Sequence, residues 1–339
     1  MVDLSTEYLG LRLANPLVPS ASPLSRDLDA ARRLEDAGAS AIVMYSLFEE
    51  AIAASEEAAA RFFHEQAIGF GEAESFLPVP AADEYLSELD DYLEQIAALK
   101  RSLSIPVIAS LNGVSDDGWV HYGRQLQEAG ADALELNVYY VAADPFESGA
   151  EVESRYVELL YQLKEAVGIP ITMKLSSQFS SVGHFVRTLE AAGAQGVALF
   201  NRFYQPDIDL ETREVTPTLT LSSSYESLLR IHWVAALYGK VGLSLAVTGG
   251  IHTAEDALKA LMAGADVTHL CSVLLKEGPE ALGRIRADML RWLEEHEYAS
   301  VRQLKGCVSR QHAIDPTAYD RANYVKVMDR HRSPGGVWR

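Results

Sequence analysis

The sequence is poor in cysteine, in positive charge and in long apolar runs. Two cysteines in 339 residues, Cys271 and Cys307, build neither a disulfide framework nor a zinc cluster. Such usage fits a reducing, cytosolic compartment, so a cytoplasmic protein is expected. Lysine and arginine number 29 against 48 aspartates and glutamates, a formal net charge of −19. So acidic a surface repels phosphate backbones and anionic lipid, which argues against nucleic-acid and membrane partners. No apolar run reaches the roughly 18 residues that a membrane span needs. Met1–Gly10 carries acids and lacks the apolar centre of a signal peptide. The histidines, among them His64, His121, His184, His232, His252 and His269, are scattered without metal-ligand spacing. Packing and surface roles are their default, with His64 set apart by its place in a long loop.

What is present is a repeating pattern. Eight short, almost wholly apolar runs recur: Pro16–Pro19, Ala41–Tyr45, Pro106–Leu111, Ala133–Val138, Pro170–Leu175, Gly196–Phe200, Leu243–Thr248 and Val267–Cys271. They do not alternate, which predicts strands buried on both faces, as in a parallel sheet covered by helices. Between and after them lie segments of helical period: Leu28–Ala37, Glu84–Leu103, Trp119–Ala129, Val152–Val167, Val182–Ala192, Tyr225–Tyr238, Ala254–Met262 and Gly278–Glu295. Asp27 (or Ser25) and Thr253 with Asp256 supply start signals. An Ala-Gly-Ala junction, centred on Gly38, Gly130, Gly193 and Gly264, closes four of the helices just before a strand. Eight β-α units at this length predict an α/β fold of the (β/α)8 barrel type rather than an open sheet. Thr6–Leu13 reads as a short hairpin at the barrel bottom. Two regions lie outside the repeat. Glu49–Pro80 is a long loop after the second strand, placed to build an active face. Residues 305–339 carry seven Lys/Arg against three Asp and read as a basic tail following a barrel over residues 1–304.

Several strand ends carry chemistry. Thr248-Gly249-Gly250 follows a buried strand and precedes a helix, so its backbone N–H groups can close on a phosphate. Cys271-Ser272 offers a second such turn, at the place where barrels often hold phosphate. The alternative is a tight turn only. Lys174 stands in an otherwise apolar strand and must find a partner, either a ligand at the barrel mouth or a structural ion pair. Asn137 and Asn201 end the fourth and sixth strands, and an amide suits the edge of a planar heterocycle. Glu135 reads as structural.

The sequence resembles the dihydroorotate dehydrogenase family, class 1 more than class 2, over about residues 1–306. The motifs that carry this are Ala14-Asn15-Pro16 with Ser20-Ala21-Ser22-Pro23, Glu135-Leu136-Asn137, Met173-Lys174-Leu175, Thr248-Gly249-Gly250-Ile251 with Ala254-Glu255-Asp256-Ala257, and Lys276-Glu277-Gly278-Pro279. The run from 247 to 279 is the most specific, and it also resembles the flavin domain of dihydropyrimidine dehydrogenase. The resemblance implies an FMN-binding barrel that oxidises a CH–CH bond of a small planar substrate; in the family, this is dihydroorotate to orotate in pyrimidine biosynthesis. It implies that Ser20, Ala21 and Ser46 border the flavin, that Asn137 meets flavin or substrate, and that Lys174 lies at the N1/O2 edge of the ring. Thr248, Gly249, Gly250, Cys271 and Ser272 would hold the phosphate. Asn201 and Tyr45 would border the substrate. A homodimer is implied as well.

The departures gather on the substrate side. Tyr45 stands where the family has lysine, and Tyr140 where it has a proton-abstracting cysteine or serine. Ala142 and Ala73 replace asparagines, and Ser222-Ser223-Ser224 replaces glycines. A tyrosine of pKa about 10 is a poor base near pH 7. Four readings therefore stay open. They are the family reaction with Tyr140 as base, a flavoenzyme with another substrate, a non-catalytic flavoprotein subunit of a redox complex, and a Schiff-base lyase using Lys174. Two cysteines cannot ligate an iron–sulfur cluster, so any such relay must come from an electron-transfer partner.

Overall fold

The computed structural model describes residues 2–52, 88–113, 119–202, 206–216 and 219–313. The chain opens with an antiparallel hairpin, β1 (Thr6–Tyr8) and β2 (Leu11–Leu13). Six parallel strands follow: β3 (Leu17–Pro19), β4 (Ile42–Phe48), β5 (Val107–Asn112), β6 (Ala133–Asn137), β7 (Ile171–Leu175) and β8 (Gly196–Leu199). After an outlying exposed hairpin, β9 (Asp207–Asp209) and β10 (Glu214–Thr216), the sheet resumes with β11 (Ser244–Thr248) and β12 (Val267–Leu270). The order β3-β12-β11-β8-β7-β6-β5-β4 brings first and last strands together. Ser40, just before β4, links the two ends: its N–H and its hydroxyl both donate to the Leu17 carbonyl, at 3.2 and 3.0 Å. The chain is thus a (β/α)8 barrel, as the eight apolar runs predict.

The helices are α1 (Leu28–Asp36), α2 (Glu88–Ser102), α3 (Trp119–Glu128), α4 (Gly149–Ala166), α5 (Val182–Ala191), α6 (Ser227–Leu237), α7 (Ala254–Ala263), α8 (Ser272–Glu277), α9 (Glu280–Glu295) and α10 (Val301–Leu304). The Asp27 carboxylate caps α1, accepting from Asp29 N and Ala30 N, and Thr253 with Asp256 forms a capping box on α7. The four Ala-Gly-Ala glycines all have positive φ, between 99 and 123°, and turn each helix back into the sheet. The α8 helix has no counterpart among the eight expected from the sequence and begins at the expected Cys271-Ser272 turn; the helix expected from Gly278 starts at Glu280. The α4 helix begins three residues before its predicted start, because Ser148 and Glu151 form a capping box there.

Two apolar clusters result. The larger joins strands to helices around the outside of the sheet. The smaller fills the lower barrel: Ala41, Ala133, Ala198 and Ala246 point inward and leave room for Tyr8, Leu9 and Leu13 from the hairpin. The two-residue turn Leu9-Gly10, both at positive φ, puts Leu9 into this space. Gly196 is the complementary residue, since a Cβ there would stand 2.5 Å from Leu9 Cδ2. The hairpin therefore plugs one end, and the other end is left for a ligand. Residues 305–313 continue onto the barrel, with Gly306 N and Val308 N donating to carbonyls of α7 and Lys305 paired with Asp266. The remainder of the predicted tail, 314–339, lies outside the described residues, as do His64, Ala73 and most of the 49–80 loop.

Candidate active site

At the C-terminal ends of the strands lies a cavity of about 290 Å³. Nine of the residues read from the sequence line it: Ser20 and Ala21 after β3, Lys174 on β7, Asn201 after β8, Thr248, Gly249 and Gly250 at the end of β11, and Cys271 and Ser272 after β12. A larger depression, about 780 Å³, lies at the plugged end beside Thr6, Asp266 and Lys305; it reaches none of these strand ends. Asn137 joins the mouth by accepting a 2.7 Å hydrogen bond from Asn201 Nδ2. The two amides thus fix each other's orientation on β6 and after β8.

The glycine turn is dictated by its surroundings. Gly249 and Gly250 have φ of +95 and +81°. A Cβ at Gly250 would stand 2.3 Å from the backbone N of Ser227, and one at Gly249 would stand 3.2 Å from Arg230 Nη2. Arg230 is buried behind this turn, donating from Nε to Thr248 O at 3.1 Å and from Nη1 to Glu226 O at 2.7 Å. Burial lowers its pKa. Ser272 Oγ accepts from Ser222 N at 3.1 Å, and Ser222 Oγ lies 3.0 Å from His252 Nε2. Arg202, at the rim, is held by both carboxylate oxygens of Glu226 at 2.9 and 3.2 Å. Hydroxyls, a guanidinium and bare backbone thus converge on one side of the cavity.

On the other side Lys174, 7% exposed, reaches Glu135 Oε1 at 3.2 Å. Glu135 is fully buried beneath it. His269, also lining the cavity, stands with Nδ1 3.7 Å from Glu135 Oε2. Burial pushes its imidazole down to about 4, so it is neutral near pH 7. The Cys271 thiol is pushed up by burial, with Lys174 and Arg202 pulling the other way. It is therefore a protonated neighbour and not a nucleophile.

Three predicted residues stand apart. Tyr140 donates to Glu147 Oε2 at 2.6 Å, under the Arg155 guanidinium 4.3 Å from its ring, and Arg155 also binds Glu147 Oε1 at 2.6 Å. Tyr45 packs edge-on against Tyr92 at 4.7 Å with Arg26 4.0 Å over its ring, and its pKa is raised by burial. Ser46 Oγ meets Ser110 Oγ at 3.0 Å. None of the three lines the cavity. Conversely, Glu135, His269 and Arg230 belong to the site or its support and were not read as such. His269 carried the same signal as Lys174, a polar residue in a strand that is buried throughout.

The architecture defines a single-mouthed (β/α)8 barrel whose cavity is built from the ends of its first, fifth, sixth, seventh and eighth strands. The dihydroorotate dehydrogenase family model matches residues 3–293. The chain is 27% identical over 328 residues to the catalytic subunit of dihydroorotate dehydrogenase B (NAD(+)) of Thermoplasma acidophilum, covering 91% of this chain and all of the relative. It is 26% identical over 275 residues to dihydroorotate dehydrogenase A (fumarate) of Lactobacillus delbrueckii subsp. bulgaricus, covering 78% and 86%. A third relative, the catalytic subunit of dihydroorotate dehydrogenase B (NAD(+)) of Pyrococcus abyssi, is 26% identical over 310 residues, 89% of this chain and 98% of the relative. The protein belongs to the dihydroorotate dehydrogenase family and is an oxidoreductase barrel of that type. No helix among the described residues is long and apolar enough to cross a membrane.

Proposed function

We propose that this chain is an FMN-dependent oxidoreductase acting on a CH–CH bond of a small planar substrate other than dihydroorotate. The observation that carries the cofactor reading is the division of one cavity into two chemistries. One wall presents Gly249-Gly250, Ser272 and Arg202, the donors a phosphate needs. The other presents the Lys174 ammonium and the Asn201 amide, with Asn137 bonded to Asn201 beside it, which suit the polar edge of a flavin ring. The fit is supported by the glycine turn, which lines the cavity without side chains and so lets a phosphate approach the backbone. Bound there, FMN would supply a two-electron acceptor. Lys174 would hold positive charge at the ring edge, and Asn137 with Asn201 would orient ring or substrate.

The substrate reading rests on Tyr140. Its hydroxyl donates to Glu147 and the residue does not line the cavity, so in this arrangement it is not placed to take a substrate proton. Together with Tyr45, Ala142 and Ala73 this favours a ligand different from that of the named relatives. A homodimer, implied by the family resemblance, belongs to the same proposal, as does an electron-accepting partner protein, because Cys271 and Cys307 alone cannot carry a cluster. The test is flavin extraction from the purified protein, followed by anaerobic mixing with dihydroorotate. One FMN per chain and slow or absent bleaching are expected. A chain that binds no FMN refutes the cofactor reading; bleaching at ordinary rates, on the order of 10 per second, refutes the substrate reading.

A further inference from the structure

Five buried side-chain polar atoms lack a hydrogen-bond partner among the described residues, and three of them meet at one place: Glu135 Oε2, His269 Nδ1 and His269 Nε2. Glu135 is on β6 and His269 on β12, four steps apart in an eight-stranded ring. They therefore face each other across the barrel axis, in the layer between the alanine-lined plug and the cavity. Lys174, on the neighbouring β7, completes the group through Glu135 Oε1.

This layer does not need charge in order to be filled. The layer below it shows an apolar filling of the same barrel, with alanine, valine, leucine and isoleucine packed around Tyr8. Exchanging an ion pair for apolar side chains of similar volume is often neutral or stabilising, so a pair with a fully buried member is poorly explained by stability alone. Nor does Glu135 touch the cavity: Lys174 and His269 line it, and Glu135 lies beneath them.

We propose that Glu135 is a positioning residue for the cofactor site, holding the Lys174 ammonium at the cavity floor while offsetting its charge, with His269 closing the layer from the opposite strand. This rests on the FMN reading above and goes beyond it. The ring edge meets a Lys174–Glu135 dipole instead of a free cation. The neutral imidazole of His269 adds no second charge. Glu135 thus keeps the reduction potential of the bound flavin below the value that Lys174 alone would set.

The test uses Glu135→Gln, Lys174→Met and the double variant. Reduction potentials of the FMN-loaded proteins are measured against a reference dye, and urea unfolding is measured on the apoproteins. Glu135→Gln is expected to raise the potential. In the Lys174→Met background the same change should shift it by less than half as much, because the cation it unmasks is gone. An unchanged potential, or equal shifts in the two backgrounds, overturns the proposal. In the apoproteins the double variant should lose less stability than the two single losses added together; strict additivity overturns the pairing. A chain that takes up no FMN defeats the functional reading while the apoprotein cycle still decides the pair. Where Glu135→Gln does not fold, Glu135→Asp withdraws the carboxylate from Lys174 and should raise the potential by a smaller amount. A potential that stays the same or falls in that variant counts against the proposal.

Discussion

Replacing Gly250 with alanine isolates the demand made by the glycine turn. The backbone at this position has φ +81°, a region that costs an L residue roughly 1–2 kcal/mol. The new methyl would stand 2.3 Å from Ser227 N and 2.9 Å from Glu226 C, both backbone atoms at the start of α6. No rotamer relieves that contact, so the helix must shift, at an overpacking cost of about 1–3 kcal/mol. The sum, about 2–5 kcal/mol, is a large share of the roughly 5–15 kcal/mol that holds a typical domain together. Gly249→Ala provides the internal comparison. Its φ of +95° carries a similar backbone cost, but the methyl meets the Arg230 guanidinium at 3.2–3.4 Å, and that side chain can give by a few tenths of an ångström. Urea unfolding of the apoproteins, followed by circular dichroism, should rank Gly250→Ala well below Gly249→Ala and Gly249→Ala below wild type. FMN titration should then show weaker binding in both variants, by about tenfold for each 1.4 kcal/mol of lost binding energy. A Gly250→Ala protein as stable as wild type would mean that the turn is not shaped as described.

Lys174→Ala should lower the flavin reduction potential, and because it strands the buried Glu135 carboxylate it should also cost about 3–5 kcal/mol in urea unfolding; an unchanged potential would confine Lys174 to structure. Tyr140→Phe removes one hydrogen bond to a carboxylate, worth about 1.5–3 kcal/mol, and should leave flavin reduction by the true substrate nearly intact. Tyr140→Cys should not by itself create dihydroorotate turnover, and rapid turnover in that variant would show that the base alone had been lost. His269 titrates near 4 in the fold and near 6.5 in the unfolded chain, so below pH 6.5 the unfolded state binds the extra proton. Stability should therefore fall as pH drops from 6.5 to 4, by up to about 3 kcal/mol, and His269→Gln should flatten that part of the profile in denaturation measured at a series of pH values.

The barrel was legible because its strands are buried on both faces, which writes each as a continuous apolar run that a sequence window can see. The repeated Ala-Gly-Ala junction was equally local, since a helix that must stop and turn needs a residue at positive φ, and Gly38, Gly130, Gly193 and Gly264 all have it. The mouth was legible for the same reason: Lys174, Asn201 and Gly249-Gly250 sit at strand ends, and a barrel sends those ends to one face. What escaped depends on register across the ring. The approach of Glu135 to His269 joins residues on opposite strands, and no periodicity records which residues face each other over a barrel axis. The Tyr140–Glu147–Arg155 group depends on how the β6–α4 loop folds back onto its own helix, so Tyr140 was placed by motif position while its partners came from geometry. The β9–β10 hairpin is polar and exposed, with no buried face to announce it.

The first and last barrel strands are neighbours, β3 beside β12, with Ser20 N reaching Leu270 O at 2.8 Å. The cavity straddles that seam, taking Ser20 and Ala21 from the first barrel strand and Cys271 and Ser272 from the last. A growing chain holds half of this wall early and must wait some 250 residues for the rest, a separation that makes closure slow relative to local helix formation. Ligand capture is then a report on ring closure: a molecule seated on the seam binds only the finished circle, and by mass action it keeps that circle shut.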